Sequence, residues 1–175
     1  MFATLPAVLL FLCPALLIVA ALKDVTTYTI PNWISLALIA GFFPAAIALG
    51  LPWSVLGFHA GLGLGALVIG MVLFALGWIG GGDAKVFAAT ALWLGWPASA
   101  TFLLVTALAG GVLAAALLAM RSILLRRYVS AGPPWLSRLA EPGESVPYGL
   151  AICIGGLAAF PASRLVQALA TAAPL

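Results

Sequence analysis

The stretch IGGGDAK, residues 79 to 85, places an acid and a base in the middle of a very apolar sequence. This charged pair separates two windows without Lys, Arg, Asp or Glu, residues 25 to 82 and 86 to 120, and a third such window covers residues 1 to 22. About 20 apolar residues span the hydrocarbon core of a bilayer, so each of the first two windows is long enough for a helical hairpin. Composition agrees, with 65% hydrophobic and 6% charged residues and a mean hydropathy of +1.26. Because helices satisfy their own backbone hydrogen bonds in lipid, the sequence predicts an all-α membrane protein.

Turn residues divide these windows into individual spans. The tripeptides GLP at residues 50 to 52 and GWP at residues 95 to 97 break the two long windows. We therefore predict a polytopic bundle of about six transmembrane helices in a single domain, residues 1 to 175. The polar segment at residues 121 to 147 predicts a cytoplasmic loop. The predicted spans are residues 2 to 22, 33 to 50, 54 to 79, 84 to 96, 98 to 120 and 148 to 170.

The basic residues predict the orientation of this bundle. Six of the seven Lys and Arg residues follow the first, third or fifth span, and the loops on the opposite side carry none. By the positive-inside rule, the side that carries them is cytoplasmic and the N-terminus lies outside. Arg164 is the exception, and we interpret it as a side chain that reaches the outer interface. The six are Lys23, Lys85, Arg121, Arg126, Arg127 and Arg138.

Charge and cysteine content argue against several kinds of partner. The net charge of +3 is explained by the cytoplasmic loops, so it predicts no nucleic-acid partner but suits an anionic lipid surface. Cys13 and Cys153 both fall within predicted spans, without a C-x-x-C pair or partner histidines. We therefore expect no disulfide framework, no metal site and no cofactor, and we interpret both cysteines as packing residues.

The third span carries a glycine series and the one histidine of the sequence. Gly57, Gly61 and Gly65 form G-x-x-x-G-x-x-x-G, which places three glycines on one helix face and predicts close packing against another helix. His59 has no visible second ligand. We interpret it as an interfacial residue rather than a metal ligand or a catalytic base.

Two of the four acids occupy matching places on the predicted cytoplasmic side. Asp24 follows the first span and Asp83 precedes the fourth, so a compact bundle permits them to meet. From Asp83 to Trp96 there are 14 residues, about 21 Å of helix against a core of ~30 Å, which indicates an earlier helix start or a recessed one. A buried carboxyl near a second one has a raised pKa. Such a pair supplies a base that activates water and an acid that protonates a carbonyl oxygen.

Simpler roles exist for each aspartate alone. Asp83 suits the N-cap of a helix that starts at Ala84, and Asp24 suits an interfacial position beside Lys23. The sequence lacks the motifs of other hydrolytic sites. It has no H-E-x-x-H of a zinc metalloprotease, no G-x-S-x-G of a serine hydrolase and no G-K-[ST] of a phosphate-binding loop after the triple glycine. Together, on one side and each in a dense local motif, the aspartates favour a dicarboxylate site.

Three blocks of sequence resemble the prepilin peptidases, in particular the small forms that serve tight-adherence (Flp-type) pili. The blocks are DVTTYTIPN at residues 24 to 32, GGGDAK at residues 80 to 85 and VPYGLAI at residues 146 to 152. Their order, their spacing and the multi-helix layout match the family over most of the chain.

This resemblance implies an intramembrane aspartic endopeptidase of the bacterial inner membrane. Its substrate would be a pilin-like precursor whose short basic leader is removed at the cytoplasmic face for pilus assembly or secretion. The two catalytic aspartates of the family map onto Asp24 and Asp83. The family's G-x-G-D pattern maps onto Gly80, Gly82 and Asp83, with Gly81 in the variable place. The chain lacks the cysteine-paired cytoplasmic domain of larger members, so the resemblance implies peptidase activity without methyltransferase activity.

The glycines and lysines beside the two aspartates have possible supporting roles. The glycines at residues 80 to 82 remove side chains, so a peptide backbone can approach Asp83. Lys23 and Lys85 either tune the charge of the aspartates or act as topology anchors.

One rival function is an ion-coupled transporter or channel that uses both aspartates as a relay, although their positions at span ends count against it. The other is a non-catalytic membrane subunit of a pilus or secretion machine.

Overall fold

Seven α-helices and one short 3-10 helix make up the described part of the chain, which in this computed structural model is residues 4 to 122 and 146 to 172. The predicted cytoplasmic loop at residues 121 to 147 lies outside the described residues except at its two ends. The helices are α1 (Thr4–Thr27), α2 (Asn32–Ala48), α3 (Trp53–Ala75), α4 (Gly81–Leu94), α5 (Ala98–Met120), α6 (Tyr148–Ala159), the 3-10 turn (Phe160–Ala162) and α7 (Arg164–Ala172).

The lengths of these helices confirm an all-α membrane bundle. Helices α1, α3 and α5 each provide a candidate membrane span of 23 residues, and the segment Tyr148–Thr171, which runs through α6 and α7, provides one of 24. Each is long enough to cross the hydrocarbon core. Helix α2 is a shorter apolar helix of 17 residues, and α4 has 14. At ~1.5 Å per residue α4 is about 21 Å long, too short to cross the core alone.

Helix α4 lies in the centre of the bundle. It packs most extensively against α3 and also contacts α1, α2 and α6, while α6 packs between α1 and α5. Trp93, fully buried near the end of α4, donates its indole N–H to the Leu38 carbonyl of α2 at 2.8 Å. The ring of Phe42, also on α2, packs edge-on against Trp93. These contacts fix the short helix from one side, so the position of its first turn is determined by the core.

The ends of the helices differ from the predicted spans at three places. Helix α1 continues to Thr27 instead of ending at residue 22, so Asp24 lies in its last turn rather than after it. Helix α4 begins at Gly81, and Gly80 rather than Asp83 is its N-cap. The last predicted span, residues 148 to 170, is broken at the 3-10 turn that contains Pro161.

The glycines of α3 do not pack as predicted. A β-carbon built on Gly57, Gly61 or Gly65 meets no atom within 4 Å in the part of the chain that the structure describes. The glycines that allow close approach are Gly63 and Gly70, whose built β-carbons lie 3.0 Å from the β-carbons of Leu92 and Ala84 of α4. The glycine spacing predicted tight packing of α3 correctly but on the wrong face, because a pattern along one helix does not define where the partner lies.

The interpretation of His59 as an interfacial residue is wrong. Its side chain is fully buried between α3 and α4, with Nδ1 2.7 Å from the Leu92 carbonyl oxygen and the ring stacked on Phe42. Gly95, at the end of α4, makes room for it, because a β-carbon there would overlap the imidazole. The histidine is therefore a core residue, held by a hydrogen bond that offsets the cost of burying a polar ring.

Candidate active site

Asp24 is held inside the bundle by the start of α6. Its carboxyl group is buried, with 6% of the residue exposed. Oδ2 accepts a hydrogen bond of 2.7 Å from the backbone N–H of Gly149, the second residue of α6. The first N–H groups of a helix have no intrahelical acceptor and carry partial positive charge, which suits a carboxylate partner. The C-terminal end of α1 is thereby joined to the N-terminal end of α6.

The short connection between α1 and α2 places the side chain of Ile30 beside the first turns of α4 and α6. Tyr28 ends α1 in the left-handed region (φ 54°), and its N–H donates to the Asp24 carbonyl at 2.9 Å. The chain then turns through Ile30, which is 9% exposed. A β-carbon built on Gly82 would lie 3.1 Å from Ile30 Cβ, and one built on Gly149 would lie 3.1 Å from Ile30 Cδ1. Ile30 therefore fits between the starts of α4 and α6.

Asp83 occupies the third position of α4 and is buried to a similar extent. It is 7% exposed, and its Oδ2 accepts the N–H of the N-cap residue Gly80 at 3.2 Å. Within the described residues, its other oxygen, Oδ1, is buried without a hydrogen-bond partner. Buried carboxyl oxygens normally have partners, so this atom is available to a water or a ligand.

The two aspartates lie close enough to interact electrostatically. Asp83 is outside the four helices that are long enough to cross a membrane. Burial and, to a smaller extent, the neighbouring Asp24 raise its pKa to about 7, although the Gly80 hydrogen bond opposes both. Two carboxyl groups in this arrangement do not both ionise readily, so the pair holds one proton near neutral pH. The structure therefore brings together the two aspartates that the sequence singled out.

The space beside the three glycines before Asp83 is occupied by other atoms of the protein. A β-carbon built on Gly80 would lie 2.7 Å from Asp83 Oδ2, and one on Gly82 would lie 3.1 Å from Ile30 Cβ. A β-carbon on Gly81 would meet the Phe74 ring at 3.4 Å, an ordinary contact. Gly80 and Gly82 thus allow the close approach of the Asp83 carboxyl and of Ile30, a function that the sequence did not reveal.

The two lysines lie on the surface near the site. Lys23 is exposed on α1, and exposed Lys85 donates its Nζ to Oδ1 of Asn32, the first residue of α2, at 2.9 Å. Lys85 and Asn32 also line a groove of about 510 Å³ between α2, α3 and α4, whose other walls are almost wholly apolar. The Lys85 side chain therefore joins α4 to α2.

Metal-binding groups do not cluster in the described part of the chain. No three His, Cys, Asp or Glu side chains there come together as a set of ligands. The buried cysteines, Cys13 and Cys153, are free thiols. The polar groups gathered at the site are two carboxyl groups and backbone N–H donors, which is an arrangement suited to proton transfer.

Two features of the site were missed by sequence reasoning. The block that contains Tyr148 and Gly149 predicted only a helix entry, which the start of α6 at Tyr148 confirms. Its contact with Asp24, 125 residues earlier, has no local signal in a single sequence. Ile30 likewise has the appearance of an ordinary apolar loop residue, and only its position between two glycines reveals its packing role.

Comparison with known proteins gives one family match. A model of the type IV leader peptidase family matches residues 11 to 115, a range that includes both Asp24 and Asp83 and ends before α6. No curated protein and no solved structure matches the chain.

Proposed function

Because the chain belongs to the type IV leader peptidase family, we propose that it is an intramembrane aspartic endopeptidase that removes the basic leader of Flp-type pilin precursors. The observation that carries this proposal is the meeting of two buried, electrostatically coupled aspartates, Asp24 and Asp83, from separate helices. A carboxyl pair that shares one proton provides the general base and the general acid of an aspartic peptidase. Family membership favours this function over the ion relay and the non-catalytic subunit.

The proposed reaction uses one carboxylate and one carboxylic acid. The ionised member of the pair takes a proton from a water molecule while the water oxygen attacks the scissile carbonyl carbon. The protonated member gives its proton to the carbonyl oxygen, which forms a tetrahedral diol. The diol then collapses as one of its hydroxyl groups returns a proton to the pair, the C–N bond breaks, and the leaving nitrogen takes up a proton from the pair, which again holds one proton. No metal or cofactor enters these steps.

The neighbours of the pair support it in different ways. We propose that Gly80 and Gly82 are required because they let the Asp83 carboxyl and Ile30 lie close to the backbone, whereas Gly81 fills a variable position. We assign Lys85 to the junction of α4 and α2, on the strength of its hydrogen bond to Asn32. Lys23 serves as a topology anchor.

We propose that the protein lies in the bacterial inner membrane with its N-terminus outside and its aspartates at the cytoplasmic side. The support is the distribution of basic residues, six of which follow the first, third or fifth predicted span. The substrate is then a precursor with a basic leader in the cytoplasm and an apolar helix in the bilayer.

The test is co-expression with a pilin-like precursor and measurement of its conversion to the mature mass. Asp24→Asn and Asp83→Asn keep the side-chain shape and remove the ionisable group, so each is expected to reduce cleavage by about 10²-fold or more. Glu144→Gln, which neutralises an acid elsewhere in the sequence, is the matched control and is expected to cleave normally. Wild-type cleavage by either Asn variant, at equal membrane levels, would contradict the mechanism.

A further inference from the structure

The start of α6 makes a contact that a simple helix entry does not require. Gly149 donates its backbone N–H to Oδ2 of Asp24 at 2.7 Å, across 125 residues of sequence and in a buried environment. The distance is at the short end of the range for an N–H···O bond, and such a bond is about twice as strong when its acceptor is ionised.

The local geometry of α6 directs this N–H outward. Pro147 is the N-cap and Tyr148 the first helical residue, so Gly149 belongs to the first turn, whose N–H groups have no acceptor within the helix. The positive end of the helix dipole lies at the same place. Asp24 satisfies the donor, and the donor fixes one of the two oxygens of the Asp24 carboxyl group.

Space around Gly149 excludes any larger residue. A β-carbon built there would lie 2.9 Å from both Cβ and Oδ2 of Asp24 and 3.1 Å from Cδ1 of Ile30. Contacts this short do not persist, so a side chain at this position moves Asp24, Ile30 or α6. Glycine is therefore needed here for close approach, and the backbone of α6 forms part of the wall that determines where the carboxyl lies.

We propose that Gly149 is a positioning residue, whose N–H and missing side chain together set the place and orientation of the Asp24 carboxyl group. The inference rests on the proposed function, in which Asp24 acts on the scissile peptide. It gives the VPYG block at residues 146 to 149 a role in the reaction without any contact to substrate. The hydrogen bond holds Oδ2, and Oδ1 is left for proton transfer.

The hydrogen bond can be measured without any activity assay. Tyr148-Gly149 is the one Tyr-Gly pair in the sequence, so labelling tyrosine with ¹³C at the carbonyl and glycine with ¹⁵N yields a single linked amide signal from the full-length protein in micelles. In the wild type this amide proton is expected to resonate at low field, as a bond to a carboxylate requires. In Asp24→Asn, whose amide oxygen is a weaker acceptor, it is expected to move upfield. An unchanged amide signal would overturn the proposal.

Kinetics then test the positioning role. Gly149→Ala is expected to lower kcat for precursor cleavage by about 10²-fold with little change in KM, since a misplacement of the order of 1 Å has this effect and Gly149 does not contact substrate. The matched control is Gly156→Ala, also on α6, whose built β-carbon meets side-chain atoms of Leu17 and Thr90 rather than the aspartates. Equal loss in both variants, or a change confined to KM, would overturn the proposal.

The two measurements separate this inference from the proposed function. If Gly149→Ala does not fold, the wild-type and Asp24→Asn amide signals still decide whether the hydrogen bond exists. If Asp24→Asn shifts the Gly149 signal but cleaves normally, the peptidase mechanism fails and with it the positioning role. If Asp24→Asn abolishes cleavage and leaves the Gly149 signal unmoved, the proposed function stands and the Gly149 inference is refuted.

Discussion

A single methyl group at Gly82 tests whether the packing of Ile30 determines the geometry of the site. The β-carbon of Gly82→Ala would lie 3.1 Å from Ile30 Cβ and 3.3 Å from the Ile30 carbonyl oxygen, where ordinary contacts are 3.4 to 4 Å. A change of the Ile30 rotamer cannot relieve these contacts, because they are made by its β-carbon and its backbone. Either the loop or the start of α4, which carries Asp83, must therefore shift by a few tenths of an ångström.

The expected magnitude follows from this overlap. Overpacking typically costs about 1 to 3 kcal/mol of folding free energy, and the helix preference of alanine over glycine returns roughly 0.5 to 1 kcal/mol. The net loss of stability is therefore modest, about 0 to 2.5 kcal/mol. Cleavage is more sensitive, because a 1 Å misplacement costs about 10²-fold, so a shift of a few tenths of an ångström is expected to slow precursor cleavage by about tenfold.

Gly81→Ala is the matched control for this prediction. It adds the same methyl group one residue earlier, where the built β-carbon meets the edge of the exposed Phe74 ring at an ordinary 3.4 Å. We expect Gly81→Ala to keep most of the activity and the melting temperature. The assay is the initial rate of cleavage of a purified precursor, with thermal unfolding of each variant in the same detergent. A Gly82→Ala enzyme as fast as the wild type, or equal losses in both variants, would show that the packing of Ile30 does not determine the geometry of the site.

Two further predictions concern the charges near the site. The pKa of Asp83 is raised to about 7 in the folded protein, above the value of about 3.9 in an unfolded chain, so the folded state binds this proton more tightly and the stability present at low pH is lost as the pH rises through 7. The melting temperature should therefore fall between pH 5 and pH 8, and Asp83→Asn should flatten that fall; equal profiles would contradict the assignment. Lys85→Gln removes the charged donor to Asn32 at an exposed position, so it should cost at most about 1 kcal/mol and change the cleavage rate by less than about threefold. A loss as large as that of Asp83→Asn would show instead that Lys85 acts directly on the reaction.

The membrane bundle and its two special aspartates were predictable, because charge-free windows and dense local motifs are features of the sequence itself. The exact helix ends were not. Lys23 looked like the end of α1, yet the helix continues to Thr27 and closes at Tyr28. A charged residue is tolerated there because Lys23 is exposed, and hydropathy alone does not distinguish an exposed helix end from a loop.

Contacts between distant segments account for the other differences. His59 looked polar and interfacial, but the space left by Gly95 and the carbonyl of Leu92 give it a place in the core. The hydrogen bond from Gly149 to Asp24 and the fit of Ile30 between two glycines likewise depend on which helices are neighbours. A single sequence contains no information on those neighbours beyond its apolar pattern, so these features require the three-dimensional structure.

The bond between Asp24 and Gly149 also bears on the order in which the protein is made. Asp24 belongs to the first described helix to leave the ribosome, and its partner belongs to α6, which is synthesised more than a hundred residues later. Until α6 inserts and docks, Asp24 lacks the donor that holds it in the folded bundle. A nascent chain is therefore expected to remain latent as a peptidase through most of its synthesis.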